Sequence, residues 1–436
     1  MLTRYSTHFC ALICALTFAT VLTGCCGKDV PEEFDPDKRK VMILYSAGFN
    51  SLSSFLRSDI EDLKKGYLPG NGVNDDILLV YSHLVGKTGR YSDPASPYLF
   101  RLYKGADGTP VADTLVTYPK GTVSASAGQL NKVLSYVRDE FPARSHGLVF
   151  SSHATGYLPV GYYEASDVYE ASGASLFSLP SPYDGKAPVP YVEPDFDPSL
   201  PMVKSLGQDR VVIDGGDYSY EMDIVDFAQA IPLHLDYIIF DACLMGGVEV
   251  ALQLRDVCDV VGFSQAEVLA EGCDYTKITN HLLLQENPDP VKVCTDYFLQ
   301  YDGQTGARRS ATISTVDCSK LEPLVQVCSD LFAKYQSELV SLDPSDVQRY
   351  YRSDYHWFYD LESIIIEVGA TDEELAALRR ALDGCILYKA ATPSFMGSFK
   401  IEVFSGLSMF LPSNGGTYLK NYYRGLEWNR LTGLVP

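Results

Sequence analysis

Positive charge is scarce in this chain. Lys and Arg number 35 against 56 Asp and Glu, a net charge of −21 over 436 residues. Nucleic acid and anionic bilayer surfaces both demand a basic face, so neither is expected as the main partner. Tryptophan is rare too, with two residues beside 30 Tyr and 20 Phe. No Cys-x-x-Cys occurs, which argues against a zinc ribbon or thioredoxin-type site. There is no Gly-x-Ser-x-Gly elbow, no His-Glu-x-x-His, no P-loop and no Gly-x-Gly-x-x-Gly. Serine hydrolases of the elbow type, zincins and nucleotide binders lose their signatures accordingly. Gly and Pro contents of 34 and 24 exclude collagen-like and linker-like chains. What is present is core-forming material: 46% hydrophobic and only 21% charged residues, enough for two to three domains' worth of folded chain.

The apolar stretch FCALICALTFATVL, residues 9–22, has fourteen residues. That is too short to span a bilayer and right for the centre of a secretory signal. It ends in Leu22-Thr23-Gly24-Cys25, which resembles a bacterial lipobox, with Cys25 as the lipid anchor. A plain secretory signal cut near Gly24 is the alternative. Residues 1–24 therefore read as a signal peptide and 25–40 as a charged, proline-containing tether. The expected location is exported and lipid-anchored, at the bacterial outer membrane or cell surface. Seven of the eleven cysteines lie beyond this region, at 243, 258, 273, 294, 318, 328 and 385. An odd number cannot all pair within one chain, and most sit in apolar or helical surroundings as small core residues.

From residue 41 the pattern alternates. Val41–Tyr45, Ile77–Tyr81, Gly147–His153, Leu235–Phe240 and Val260–Phe263 are short apolar runs, as buried parallel strands require. Helical spacing follows the first run (Leu52, Phe55, Leu56, Ile60, Leu63) and precedes the third (Leu130, Val133, Leu134, Val137). Tyr98–Tyr103 and Asp113–Tyr118 read as a peripheral hairpin. Residues 160–205 hold seven prolines between Pro180 and Pro201 and read as a long exposed loop. A helix is expected from about Glu221 to Ile231 and another from Gly246 to Arg255. The fold class is α/β, an open and mostly parallel sheet with helices on both faces. Residues 41–286 form its body, and 287–436 a smaller C-terminal α/β lobe packed on it.

His153 ends the third strand of this pattern and Cys243 follows the fourth. In such sheets the site lies beyond the carboxyl ends of the strands. If the strands are neighbours, both side chains open onto one crevice, the imidazole serving as general base or acid. Cys243 also directly precedes the expected helix, whose positive end would favour thiolate. Taken singly, either residue is more often an ordinary buried cysteine or a hydrogen-bonded loop histidine.

Asp241-Ala242-Cys243-Leu244-Met245 closely matches the nucleophile motif of the clostripain family of cysteine peptidases. His153-Ala154-Thr155-Gly156-Tyr157, the turn through Asn50-Ser51-Leu52, and stretches at Ser310–Ser314, Phe404–Ser408 and Leu426–Asn429 resemble further parts of that family. The resemblance covers roughly residues 40–430. It implies a caspase-like fold, peptide or protein substrates, and a His153–Cys243 dyad cleaving after Arg or Lys. The oxyanion hole would use the N–H groups of Ala154 and Cys243. Ala154 departs from the family's usual glycine and would disable the hole if positive φ were needed there. The alternative function is thus a catalytically silent surface lipoprotein that binds peptide or glycan. Substrate-binding carboxylates are expected at Asp241 and Glu267, out of four acids that also include Glu271 and Asp274. Family members are often activated by a cut between the His and Cys strands, with Lys186 the first candidate and Lys204 and Arg210 next. No cofactor is required, and calcium is implied by the resemblance alone.

Overall fold

A computed structural model describes residues 32–86, 88–93, 95–172, 189–190, 199–204, 209–213, 215–352 and 356–436. The expected lipid anchor Cys25 and processing residue Lys186 lie outside the described residues.

Among the described residues, nine strands form one sheet: Lys40–Gly48 (β1), Ile77–Leu84 (β2), Tyr98–Lys104 (β3), Pro110–Thr117 (β4), Ser145–Ser151 (β5), Leu235–Asp241 (β6), Cys258–Phe263 (β7), Thr312–Asp317 (β8) and Ile386–Ala391 (β9). Their spatial order is β9-β8-β7-β6-β5-β1-β2-β3-β4. The five central strands run parallel. β1 and β2 are buried along their whole length, the burial pattern that continuous apolar runs predict for strands covered on both faces. The β3–β4 hairpin extends one edge in antiparallel fashion, and its outer strand β4 is mostly exposed.

Helix Ser53–Leu63 (α1) packs on β1 and β2. Ala127–Glu140 (α2) begins at Ser126, whose side chain accepts from the Gln129 N–H and so caps it. Its buried residues Leu130, Val133, Leu134 and Val137 are the predicted face. α2 packs on Ile224–Ala230, which in turn packs on Val248–Leu254.

The C-terminal part differs from the sequence reading. Among the described residues it builds no large sheet of its own: β8 joins the central sheet antiparallel to β7, and β9 pairs antiparallel with β8 at the edge. Ser408–Met409 pairs antiparallel with Tyr359–Asp360 as a separate two-stranded sheet. Residues 160–172 are not loop either. Tyr162–Ser172 is a helix with non-helical backbone at Ala165. Long-range aromatic packing explains it: Tyr162 stacks on Tyr418 and meets Trp357 edge-on. Glu170 accepts the N–H groups of Tyr418 and Leu419. None of the described helices is long and apolar enough to cross a membrane.

Candidate active site

The β5–β6 register sets Ser151 opposite Asp241. His153 and Cys243 each stand two residues further on, at the carboxyl ends of adjacent parallel strands. This is the placement at neighbouring strand ends that the order of the apolar runs predicts. The reason given for thiolate formation does not hold. The helix starts at Val248 with Gly247 as its cap, not beside Cys243. Cys243 sits in a turn whose next residue, Leu244, has a left-handed φ of 61°. For a branched residue that conformation is strained by about 1–2 kcal/mol. The turn is held in place by the Leu244 N–H on the Ala266 carbonyl and the Gly246 N–H on the Ser264 carbonyl. The donor to sulfur is a backbone amide after β7: the Val268 N–H reaches Cys243 Sγ at 3.0 Å.

His153 is buried, and its Nε2 pairs with Ser51 Oγ at 3.2 Å. Ser51 belongs to the turn after β1, so three neighbouring strand ends contribute to the crevice. Burial pushes the imidazole down to about 3. The nearby Lys204 ammonium acts in the same direction, while the Lys204 backbone favours the protonated ring. The histidine is neutral in this state.

The fold also brings Lys204 to this site. Residues 202–204 lie as an antiparallel strand against 268–270. The Lys204 N–H donates to the Val268 carbonyl at 2.8 Å, the Ala270 N–H donates to the Met202 carbonyl at 2.9 Å, and Val203 opposes Leu269. Extended peptides bind sheet edges in this manner. Val268 thereby touches both the Cys243 sulfur and the Lys204 backbone. The Lys204 side chain is fully buried, and its ammonium contacts Asp241 and donates to Ser151 Oγ at 3.0 Å. Asp241 also accepts from Tyr275 at 2.7 Å and Ser151 at 3.1 Å. Burial works against the ammonium, but Asp241 and then Asp59 outweigh it and hold its pKa above the ordinary lysine value.

Gly272 closes this pocket. Its φ is +62°, and a Cβ there would stand 2.4–2.5 Å from both Asp241 oxygens and from Lys204 Nζ. Gly272→Ala is expected to lower the stability of the intact chain by about 1–3 kcal/mol, from the left-handed backbone and the obstructed ammonium. Denaturant titration checks this; an unchanged midpoint would mean the lysine does not depend on that wall.

Of the carboxylates singled out from the sequence, Asp241 pairs with the Lys204 ammonium. Glu267 is not available to a substrate cation: it is fully buried and held bidentately by Arg352 at 2.7 and 2.8 Å. Glu271 faces Arg308 at the surface, and Asp274 caps the Tyr275–Thr279 helix. Asp59, on α1, was not anticipated; its carboxylate lies 3.8 Å from Lys204 Nζ. Nothing in the first-strand region marks one acid of an amphipathic helix as inward-facing until the fold is known.

Ala154 lies outside the left-handed region, where the non-glycine residues are Leu244 and Met396 among the described residues. The missing glycine therefore costs no backbone strain. None of the seven described cysteines forms a disulfide, and all are buried. Among the described residues, no group of three or more His, Cys, Asp or Glu side chains is placed to hold a metal. The crevice acids Asp241 and Glu267 are already engaged by Lys204 and Arg352.

A family model described as the clostripain family matches residues 197–432, more than half of the chain. The chain belongs to the clostripain family. It is a cysteine peptidase by that membership. Its fold resembles an inactive zymogen C11 protease from Parabacteroides distasonis, with 27% identity, TM-score 0.70, and coverage of 91% of this chain and 99% of the other. A secreted C11 cysteine protease from Bacteroides thetaiotaomicron matches in fold at 21% identity and TM-score 0.67, over 91% and 99% of the two chains. A second structure described in the same terms, in complex with an irreversible peptide inhibitor, matches at 23% identity, TM-score 0.66 and the same coverage. No curated protein matches the chain. In this clostripain-family member the Lys204 side chain fills a buried pocket against Asp241 and Ser151.

Proposed function

We propose that the protein is an exported, lipid-anchored endopeptidase that cleaves after Lys or Arg, with Cys243 as nucleophile and His153 as proton carrier, and that its first substrate is its own Lys204–Ser205 bond. The observation that carries this reading is Lys204 itself, paired in strand fashion beside Cys243 with its ammonium on Asp241. In the reaction, Sγ attacks the Lys204 carbonyl carbon and the thiol proton passes to His153. The N–H groups of Cys243 and Ala154 stabilise the oxyanion. The C–N bond then breaks, His153 protonates the departing Ser205 amine, and water hydrolyses the thioester. Until the cut segment leaves, the crevice is occupied and the peptidase is idle. Asp241 supports basic specificity because it pairs with the buried Lys204 ammonium inside a closed pocket. The lipid anchor rests on the lipobox resemblance at Cys25. The silent-lipoprotein reading loses its main support, since Ala154 has unstrained backbone.

Incubating the purified wild-type chain should give a new N-terminus at Ser205, followed by turnover of fluorogenic peptides with Arg or Lys at P1, the residue before the cleaved bond. Peptides with Asp or Leu at P1 should remain uncut. A chain that turns over neutral or acidic peptides as well as basic ones would sink the specificity. New N-termini elsewhere would sink the assignment of Lys204.

A further inference from the structure

The ammonium of Lys204 uses only part of its pocket. It contacts Asp241 and Ser151, while Asp59 stands 3.8 Å away, beyond hydrogen-bond distance. Asp59 is only 5% exposed, and its Oδ2 has no hydrogen-bond partner among the described residues. The Asp241 Oδ1 atom is likewise buried without a partner. Two acceptor oxygens on two different elements, α1 and the end of β6, are thus left over around a single cation. A buried acid with an unused oxygen costs free energy unless something else engages it. Burial holds the Asp59 carboxyl up at about 8 against the pull of Lys204, with the Asp241 charge adding to the rise.

A lysine ammonium is a compact donor. A guanidinium is a longer planar fork with five N–H groups, suited to two carboxylates at once. We propose that Asp59 is a second specificity carboxylate of this pocket, one that engages the guanidinium of a P1 arginine and so favours Arg over Lys. The chain's own Lys204 would then be the weaker occupant, which an arginine substrate outcompetes once the segment has been cut. This inference rests on the reading of the crevice as a basic P1 pocket.

The test uses processed full-length protein and matched P1-Arg and P1-Lys peptides. Wild type should show the higher kcat/KM for Arg. Asp59→Asn keeps the shape of the side chain and should lower kcat/KM for Arg by about tenfold or more, with Lys changed by no more than about threefold. Asp59→Glu extends the carboxylate toward an ammonium and should narrow the ratio from the other side, by improving Lys. It also keeps the question answerable if the Asn variant misfolds. A parallel loss of both substrates in Asp59→Asn, or an unchanged ratio in both variants, would overturn the role of Asp59. Wild type that shows no preference for basic over neutral P1 residues would instead overturn the basic-pocket reading itself.

Discussion

Cys243→Ala is expected to leave the chain whole at Lys204–Ser205 and to lower peptide turnover by at least about ten-thousandfold, the scale seen when a nucleophile is removed. The substitution takes away one sulfur that accepts the Val268 N–H and leaves the neighbouring Lys204–Val268 bond intact. The fold should therefore persist, with Lys204 still seated. His153→Ala should cost nearly as much, and the double variant hardly more, because nucleophile and base act as one unit. Intact-mass measurement and steady-state turnover read both effects. A Cys243→Ala chain that still appears cut after Lys204, free of added protease, would exclude the sulfur from the reaction. A double variant losing the product of the two single losses would show that the two residues act independently.

Asp241→Asn is expected to lower kcat/KM for basic P1 peptides by about a hundredfold to a thousandfold. Removing one partner of a buried, hydrogen-bonded charge pair costs about 2–5 kcal/mol. A peptide with an uncharged straight-chain P1 residue should be cleaved no worse than by wild type. In the uncut chain the same substitution strips Lys204 of its nearest counter-charge. Asp59 moderates the damage: without the Asp241 charge its own carboxyl ionises more readily and faces the ammonium from 3.8 Å. The loss of folding stability in Asp241→Asn should therefore fall below that of an Asp59→Asn, Asp241→Asn double variant, measured by denaturant titration. Equal losses for basic and uncharged peptides would show that Asp241 serves the Cys243 turn rather than the substrate.

Much of this could be read from residues alone, for identifiable reasons. β1, β2, β5 and β6 are continuous apolar runs because they are covered on both faces, and such runs need no tertiary knowledge to recognise. His153 and Cys243 follow from them, since strand ends in a parallel sheet share one edge. Contacts across large sequence distances were not legible. Tyr162–Ser172 is helical through partners near residues 357 and 418. The Glu267 carboxylate is spoken for by Arg352, 85 positions away. Lys204 and Asp59 are separated by 145 positions, and no local pattern distinguishes a lysine bound for a pocket from one bound for solvent. The helix after Cys243 began later than its periodicity suggested because Leu244 and Gly246 are drawn to the residues following β7.

The strand pairing of 202–204 has a kinetic meaning. A bond presented by the same chain is met at an effective concentration set by tether and pocket, not by the amount of protein in solution. The other side of that bond is moored as well: the Asp209 carboxylate accepts the N–H groups of Ser124 and Ala125, and the Arg210 N–H donates to the Phe49 carbonyl. Only four positions lie between Lys204 and Asp209. On the proposed self-cleavage, the cut would be a first-order event whose rate does not depend on protein concentration. External peptides would compete against a tethered local lysine until the cut lets residues 202–204 swing out of the pocket, still attached to the N-terminal part of the chain.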